Sequence, residues 1–519
     1  MDFGMTGLAD IVRHHAAVRP DAAAIVHDGR TTTYAGLDRA ASQVANGLAA
    51  AGINPQARVA HLDKSSDLFF ELLFGVAKAN AVMVSVNWRL APPEVLHIVN
   101  DAEAEILFVG EEFFPVIEKI HDRLTTVRKI VALDGRHMSW EDFAAWRDRQ
   151  AADDPRLVAR AQDTAIQFYT SGTTGLPKGA ELTNANFAYM FALWTKAWLM
   201  APGVPVLVCL PMFHIGGAGW GIAGLYAGAT NLVVREFVPA QVLDLVQRER
   251  LQVMLLVPAM ILFLVQAPQI RETDLSSLRL IVYGAAPIPA DLLKQAMEIF
   301  GCGFQQVYGL TETTGAVTLL PPEDHDPADA RKLLSCGYAQ AGVDLRIVGD
   351  DGKHLPAGQV GEIAVRSPQV MRGYWKLPDA TKRSIDGDWF LTGDAGYLDD
   401  KGYLFIYDRV KDMIVSGGEN IYPAEIESAL FGHPAVADVA VIGVPDERWG
   451  EAVKAVVVKK PGAELTAGEL IIWARERIAG YKLPKSVDFM EALPRNPTGK
   501  ILKRELRLPY WGDRVRQVN

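Results

Sequence analysis

A chain of 519 residues, 49% apolar and 22% charged, is too long for one hydrophobic core, so at least two domains are expected. A net charge of −10 without a long basic run argues against a general nucleic-acid binder, and it means that an anionic substrate must find its positive groups locally. Three scattered cysteines, Cys209, Cys302 and Cys336, offer no CxxC or CxxH spacing; neither a zinc site nor a disulfide framework is expected, and a reducing cytoplasm fits.

The N-terminal stretch MDFGMTGLADIVRHH has an acid at its second position and no apolar core, so it does not read as a signal peptide. A strand is expected at 57–62. Ser66 is the expected N-cap of a helix over 67–79 that presents Leu68, Leu72 and Val76 on one face, with Asn80 closing it. A buried strand at 81–86, a helix at 92–101 with proline at its start, and a strand at 106–109 continue the rhythm, and further strands follow at 165–169, 253–256 and 280–283. Strand–helix alternation of this kind predicts mostly parallel sheets flanked by helices.

Residues 197–234 carry no formal charge, and length alone permits a membrane span. Pro202, Pro205, Pro211 and six glycines within 216–228 argue instead for a buried strand at 204–210, a turn and a buried helix. Within it GWGIAG (219–224) fits GxGxxG formally, but no clear strand precedes it and no acid lies about 20 residues on, so it reads as close helix packing, not a dinucleotide site.

Between 335 and 407 short segments separated by Gly, Pro and Asp predict antiparallel strands and a β-barrel-like subdomain. Beyond it, apolar runs at 436–444 and 453–459, a helix capped by Thr466 and a lysine-rich tail predict a small α/β domain. The expected division is 1–408 and 409–519.

The strongest chemical signal is YTSGTTGLPKGA at 169–180, where three glycines stand among four Ser/Thr hydroxyls after an apolar strand. Glycine lets the backbone curl and aim several N–H groups inward, and the hydroxyls add donors, which together make a nest for phosphate oxygens. Pro177 before Lys178 and Gly179 after it exclude a Walker A loop.

This string resembles the phosphate loop of the adenylate-forming superfamily, which includes acyl-CoA synthetases, luciferases and peptide-synthetase adenylation domains, and the resemblance continues along essentially the whole chain. It implies that Thr170, Ser171, Gly172, Thr173, Thr174, Gly175 and Lys178 bind the ATP phosphates. YGAAP (283–287) resembles the adenine-contacting turn, through Gly284, Ala285 and Ala286. YGLTE (308–312) resembles the next motif, in which Tyr308 with Gly309 serves the adenine, Thr311 reaches the α-phosphate and Glu312 holds Mg²⁺. TGD (392–394) resembles the ribose motif, with Asp394 accepting from the ribose hydroxyls and Arg409 assisting. Lys411 falls at the family's interdomain hinge. Gly417, Gly418 and Glu419 follow on the coenzyme A side, and Trp449 and Tyr481 stand where relatives contact coenzyme A. PRNPTGKILKREL (494–506) resembles the catalytic-lysine motif, which makes Lys500 catalytic with Glu312 and Thr311. His214 in PMFHIGG matches the wall between acyl pocket and coenzyme A tunnel. Gln167 departs from the pattern, which has an apolar residue there.

The resemblance implies an AMP-forming acyl-CoA ligase: a carboxylic acid and ATP give acyl-AMP, which passes its acyl group to coenzyme A, with a small mobile C-terminal domain serving both steps. PMFHIGG, SGGENIYPAEIE and VPDERWGE resemble bacterial fatty-acyl-CoA ligases, which puts a medium- or long-chain fatty acid first and an aromatic or sterol-derived acid second. The alternatives are a ligase loading a carrier protein, an amino-acid adenylation unit and a non-catalytic ATP-binding scaffold. The chain ends soon after Lys500 and carries no visible acidic anchor at 234–236, so neither an attached carrier domain nor an amino-acid substrate is expected. Peripheral membrane contact and a homodimer stay open, and no nucleic-acid partner is expected.

Overall fold

The computed structural model describes residues 4–170, 177–329, 331–349, 351–409, 412–416, 419–446, 448–495 and 501–512, with only the backbone described at 407–409 and 419–420. Two large mixed sheets organise the first four hundred residues. The eight-stranded sheet runs in the order Gly373–Tyr374, Lys178–Thr183, Thr164–Thr170, Val82–Ser85, Arg58–Leu62, Ala104–Val109, Lys129–Ala132 and Glu141–Asp142. It is parallel from Thr164–Thr170 onward and antiparallel at its first two pairings. The nine-stranded sheet has a parallel centre that includes Pro205–Val208, Val253–Leu256, Leu280–Gly284 and Gly303–Leu310, with antiparallel strands at both ends. The expected strand–helix rhythm is therefore present, and the antiparallel edges, hairpins together with the distant strand Gly373–Tyr374, are pairings that the alternation signal does not report.

The helix Asp67–Lys78 is buried on nearly every side, and Phe69, Phe70 and Phe74 join one apolar cluster that draws on both sheets. Ser66 holds the N-cap position as expected, in extended conformation, but makes no side-chain capping bond, and its hydroxyl is buried without a partner. Asp67 carries negative charge in the first turn instead, where it suits the helix dipole, and it pairs with Arg30. Asn80 closes the helix as expected, in the left-handed region at φ 50°. The uncharged stretch forms the strand Pro205–Val208 and the helix Ile215–Tyr226. Among the described residues no helix is long and apolar enough to cross a membrane. The glycines in that helix permit close packing: a Cβ on Gly221 would lie 2.6 Å from the Phe70 ring, and one on Gly224 would lie 2.3 Å from Asn231 Oδ1.

The strands Asp344–Val348, Gly361–Arg366, Trp389–Leu398, Ile385–Asp386 and Leu404–Arg409 form a five-stranded antiparallel sheet. It is half-barrel-like, in keeping with the β-barrel-like subdomain expected from the turn density. A last sheet joins Glu419–Ile421, Ile414–Ser416, Gly450–Lys459, Val436–Asp446 and Ser486–Met490. The helix Ala467–Arg475 starts at a capping box between Thr466 and Glu469, as the sequence predicts.

Candidate active site

The strands Thr164–Thr170 and Lys178–Thr183 form an antiparallel hairpin in which Thr170 faces Lys178. The expected phosphate-loop residues Ser171, Gly172, Thr173, Thr174 and Gly175 lie between these ends, outside the described residues. The hairpin rests on a buried polar network. Gln167 is fully buried; it accepts from Arg58 Nε at 3.2 Å and donates to the Tyr169 hydroxyl at 3.1 Å. Arg58 also pairs with Glu181 at 3.0 Å and lies under the Trp375 ring at 3.4 Å, while Tyr169 donates to Asp101 at 2.6 Å. The departure at Gln167 thus has a physical reason, because an apolar residue there would leave Arg58 and Tyr169 each short of a partner.

Glu312 sits at the centre of the short helical turn Thr311–Thr313, 9% exposed. Its Oε1 accepts from Thr170 Oγ1 at 3.3 Å and from the Tyr374 hydroxyl at 2.9 Å. The Tyr374 ring lies 4.2 Å from Lys178 Nζ. Gln369 fixes the turn from behind, since its amide donates to the carbonyls of Thr313 at 3.2 Å and Ala316 at 2.9 Å. Gly309 just before the turn has no room for a side chain: a Cβ there would lie 1.9 Å from the Gly315 carbonyl.

Tyr308, two residues before the end of the strand Gly303–Leu310, donates to Asp394 Oδ2 at 2.8 Å. Asp394 is buried on the strand Trp389–Leu398, where it pairs in register with Arg409. Glu362, pushed up from its ordinary range by burial, accepts the Gly393 N–H at 2.8 Å and steadies that turn. The turn at Gly284, Ala285 and Ala286 follows the adjacent strand, with Gly284 in register with Val307 and Ala285 at φ 67°. Residues from the phosphate loop's first strand, the adenine turn, the YGLTE motif and the TGD motif therefore meet where three sheets come together.

His214 is the N-terminal flank of the helix Ile215–Tyr226, with its ring 4.4 Å from Phe213. Its Nε2 is buried without a partner, and burial, helped by Arg89, pushes its pKa down to about 3, so the ring is neutral. Ile215 next to it approaches within 3.8 Å of the Cβ position at Gly315, which sets this turn beside the Glu312 turn. Trp449 and Tyr481 are exposed at 40% and 49%; among the described residues no hydrogen bond or ring contact ties them to Thr170 or Glu312. Arg409 and Glu419 are described in backbone only, within strands. Lys411, Gly417, Gly418 and Lys500 lie outside the described residues.

The sequence profile of the AMP-binding enzyme matches residues 12–375, and that of the AMP-binding enzyme C-terminal domain matches residues 425–500. The chain belongs to this family. It is 42% identical to the fatty acid–[acyl-carrier-protein] ligase ScoC of Streptomyces coeruleorubidus over 517 residues, covering 99% of this chain and 98% of that one. It is 40% identical to feruloyl-CoA synthase of an Amycolatopsis species over 505 residues, 96% of this chain and 98% of that one. The crystal structure of the anthranilate CoA ligase AuaEII in complex with anthranoyl-AMP superposes with a TM-score of 0.91 at 29% identity, covering 98% of this chain and 97% of that one.

This AMP-binding enzyme is thus an adenylate-forming acid–thiol ligase, as the motifs implied. AMP-forming acyl-CoA ligases use ATP, Mg²⁺ and coenzyme A. Mg²⁺ takes one or two carboxylates plus substrate phosphates, a demand that a single carboxylate beside the phosphate-loop hairpin can meet. Glu312 is the carboxylate that would hold the ion, beside the phosphate-loop hairpin, with both hydroxyl donors on the same oxygen. Tyr374 and Gln369 were missed in the sequence. Their stretch, SPQVMRGYW, reads only as loop between strands, and no spacing rule ties it to YGLTE.

Proposed function

We propose that this enzyme activates a medium- or long-chain fatty acid as its acyl-adenylate and transfers the acyl group to coenzyme A. In the first step a carboxylate oxygen attacks the α-phosphorus of ATP and pyrophosphate leaves. In the second the coenzyme A thiol, losing its proton, attacks the acyl carbon and AMP leaves. Both first-step reactants are anionic, and two unit charges at about 4 Å repel by about 4 kcal/mol at an effective dielectric near 20. Donors brought to the phosphates would offset this: the N–H groups around Gly172–Gly175, Lys178, Thr311 and Lys500. Mg²⁺ held at Glu312 would neutralise phosphate charge. Asp394 with Arg409 receives the ribose, the turn at 284–286 with Tyr308 the adenine, and neutral His214 walls the acyl pocket. Gly417, Gly418, Glu419, Trp449 and Tyr481 serve coenzyme A.

The observation that carries this reading is the convergence of three motifs far apart in the chain, through Thr170 on Glu312 and Tyr308 on Asp394. The division at 408/409, with Lys411 as hinge, is supported by two apolar clusters that draw only on residues from Ile414 onward. The fatty acid rests on ScoC, while feruloyl-CoA synthase and the anthranilate ligase favour an aromatic acid as second reading. ScoC also makes a carrier protein the second acceptor. Pyrophosphate release across straight-chain acids and aryl acids, with coenzyme A, with holo-carrier protein and with neither, separates these. Turnover highest on aliphatic acids with coenzyme A is expected; preference for aryl acids or for the carrier protein would replace the corresponding part of the proposal.

A further inference from the structure

The segment after the half-barrel-like sheet's second strand returns to the phosphate-loop hairpin as a strap. Met371 N–H donates to the Glu312 carbonyl at 2.8 Å, Arg372 N–H to the Glu181 carbonyl at 3.0 Å and Trp375 N–H to the Gly179 carbonyl at 2.7 Å. Gly373 and Tyr374 pair with Glu181 and Ala180 as an edge strand. Successive side chains of a strand point to opposite faces. Trp375 accordingly covers Arg58 and donates to the Asp101 carbonyl at 3.0 Å, while Tyr374 turns toward Glu312. Gly373 is held at φ 154° with no space for a Cβ, which would lie 2.8 Å from Thr381, and the Thr381 hydroxyl accepts the Tyr374 N–H at 2.9 Å. The backbone that aims Tyr374 is therefore fixed from both sides.

We propose that Tyr374 is a positioning residue that orients the Glu312 carboxylate through its hydroxyl and steadies the Lys178 ammonium through its ring, so that one side chain sets both the metal-binding and the phosphate-binding geometry. The inference rests on the reading of Glu312 as the Mg²⁺ carboxylate. The phenol O–H to Glu312 Oε1 at 2.9 Å leaves that oxygen directed by two donors, because Thr170 approaches it as well. A carboxylate held by its neighbours meets a cation without reorganising, and partners of this kind are typically worth about 10- to 100-fold in metal affinity. Lys178 Nζ over the ring at 4.2 Å is a cation–π contact that keeps the ammonium at the hairpin mouth, where it opposes Thr170.

The two halves separate by substitution. Tyr374→Phe keeps the ring and removes the hydroxyl; Tyr374→Leu removes both. The probes are Mn²⁺, followed by electron paramagnetic resonance, and an ATP analogue with a methylene between α- and β-phosphorus. Tyr374→Phe is expected to weaken Mn²⁺ binding to the enzyme–analogue complex about tenfold, with analogue affinity in EDTA and the thermal midpoint unchanged. Tyr374→Leu is expected to weaken the analogue in EDTA as well, by about threefold. Glu312→Gln is the control. Unchanged Mn²⁺ affinity in Glu312→Gln overturns the metal reading itself. Weakened binding in Glu312→Gln beside wild-type affinity in Tyr374→Phe overturns the role of Tyr374 alone. Should Tyr374→Leu fail to fold, the phenylalanine variant decides.

Discussion

At Glu312 one carboxylate oxygen accepts from two residues that stand 142 and 62 positions away, Thr170 and Tyr374. Chemistry of this sort depends on single groups, so single substitutions test it. Lys500 carries the most pointed expectation: Lys500→Ala should slow acyl-AMP formation by about 10²–10³, the usual effect of deleting a donor that meets developing charge, yet still convert supplied acyl-AMP and coenzyme A to thioester. Equal loss of both half-reactions would remove Lys500 from a step-specific role. Thr170, Glu312, Tyr308 and Asp394 were each legible from their motifs, whereas Tyr374 was not, because its value lies in a contact between segments with no common spacing. A second residue-scale prediction concerns acid. His61 is fully buried against Phe69 without a hydrogen-bond partner, and burial, aided by Arg235, pushes its pKa down to about 3. The unfolded chain protonates it near 6.5. The unfolded state therefore takes up the proton first, and stability is lost as pH falls below about 6.5 toward 3. Asp63 nearby, pushed up to about 6 mainly by burial, works in the opposite sense between about 6 and 3.8. His61→Phe should flatten the fall of the urea midpoint between pH 7 and 5; an unaltered slope would show that His61 is not a source of it.

The hairpin that brackets the phosphate loop shows the same logic at the scale of an element. Its first strand was legible from the apolar run at 165–169, its return strand Lys178–Thr183 was not, and the register pairs Thr170 with Lys178. Gln167 was not legible either, since apolar periodicity has no place for a buried amide that answers Arg58 and Tyr169. Gln167→Leu would leave Arg58 Nε without its acceptor, and an unsatisfied buried donor costs about 1–3 kcal/mol. Urea unfolding should show a loss of that size; a neutral result would mean that Arg58 finds its acceptors in Glu181 and the Gln56 carbonyl alone. The glycine-rich helix Ile215–Tyr226 was read correctly for a related reason, because its glycines face Phe70 and Asn231 at distances that admit no Cβ. Ser66 takes the N-cap position that the sequence assigns it, but its residue type is only an offer of a bond: the hydroxyl is buried without a partner, and Asp67 supplies the negative charge in the first turn.

At the scale of the whole molecule, the family match is divided: one profile ends at 375 and the next begins at 425, and Lys411 falls between them. The two-domain organisation was legible because chain length, a change of texture and the order of motifs agree. The acyl substrate was not, since a pocket drawn from several segments leaves no local pattern. In the proposed mechanism the two chemical steps call on different groups from the C-terminal part, Lys500 at the first and the 417–420 segment at the second, and a rotation about Lys411 would meet that need. Next to the proposed hinge, Asp412 accepts from Arg507 at 2.7 Å, which ties the position to the helix Lys503–Trp511 that follows Lys500. A rigid residue at the hinge should therefore trap one arrangement. Lys411→Pro fixes φ near −65° and is expected to leave ATP–pyrophosphate exchange near wild type while thioester formation from supplied acyl-AMP falls by about a hundredfold, the scale of loss that follows from a misplaced reacting group. Equal loss of both half-reactions would place the pivot elsewhere.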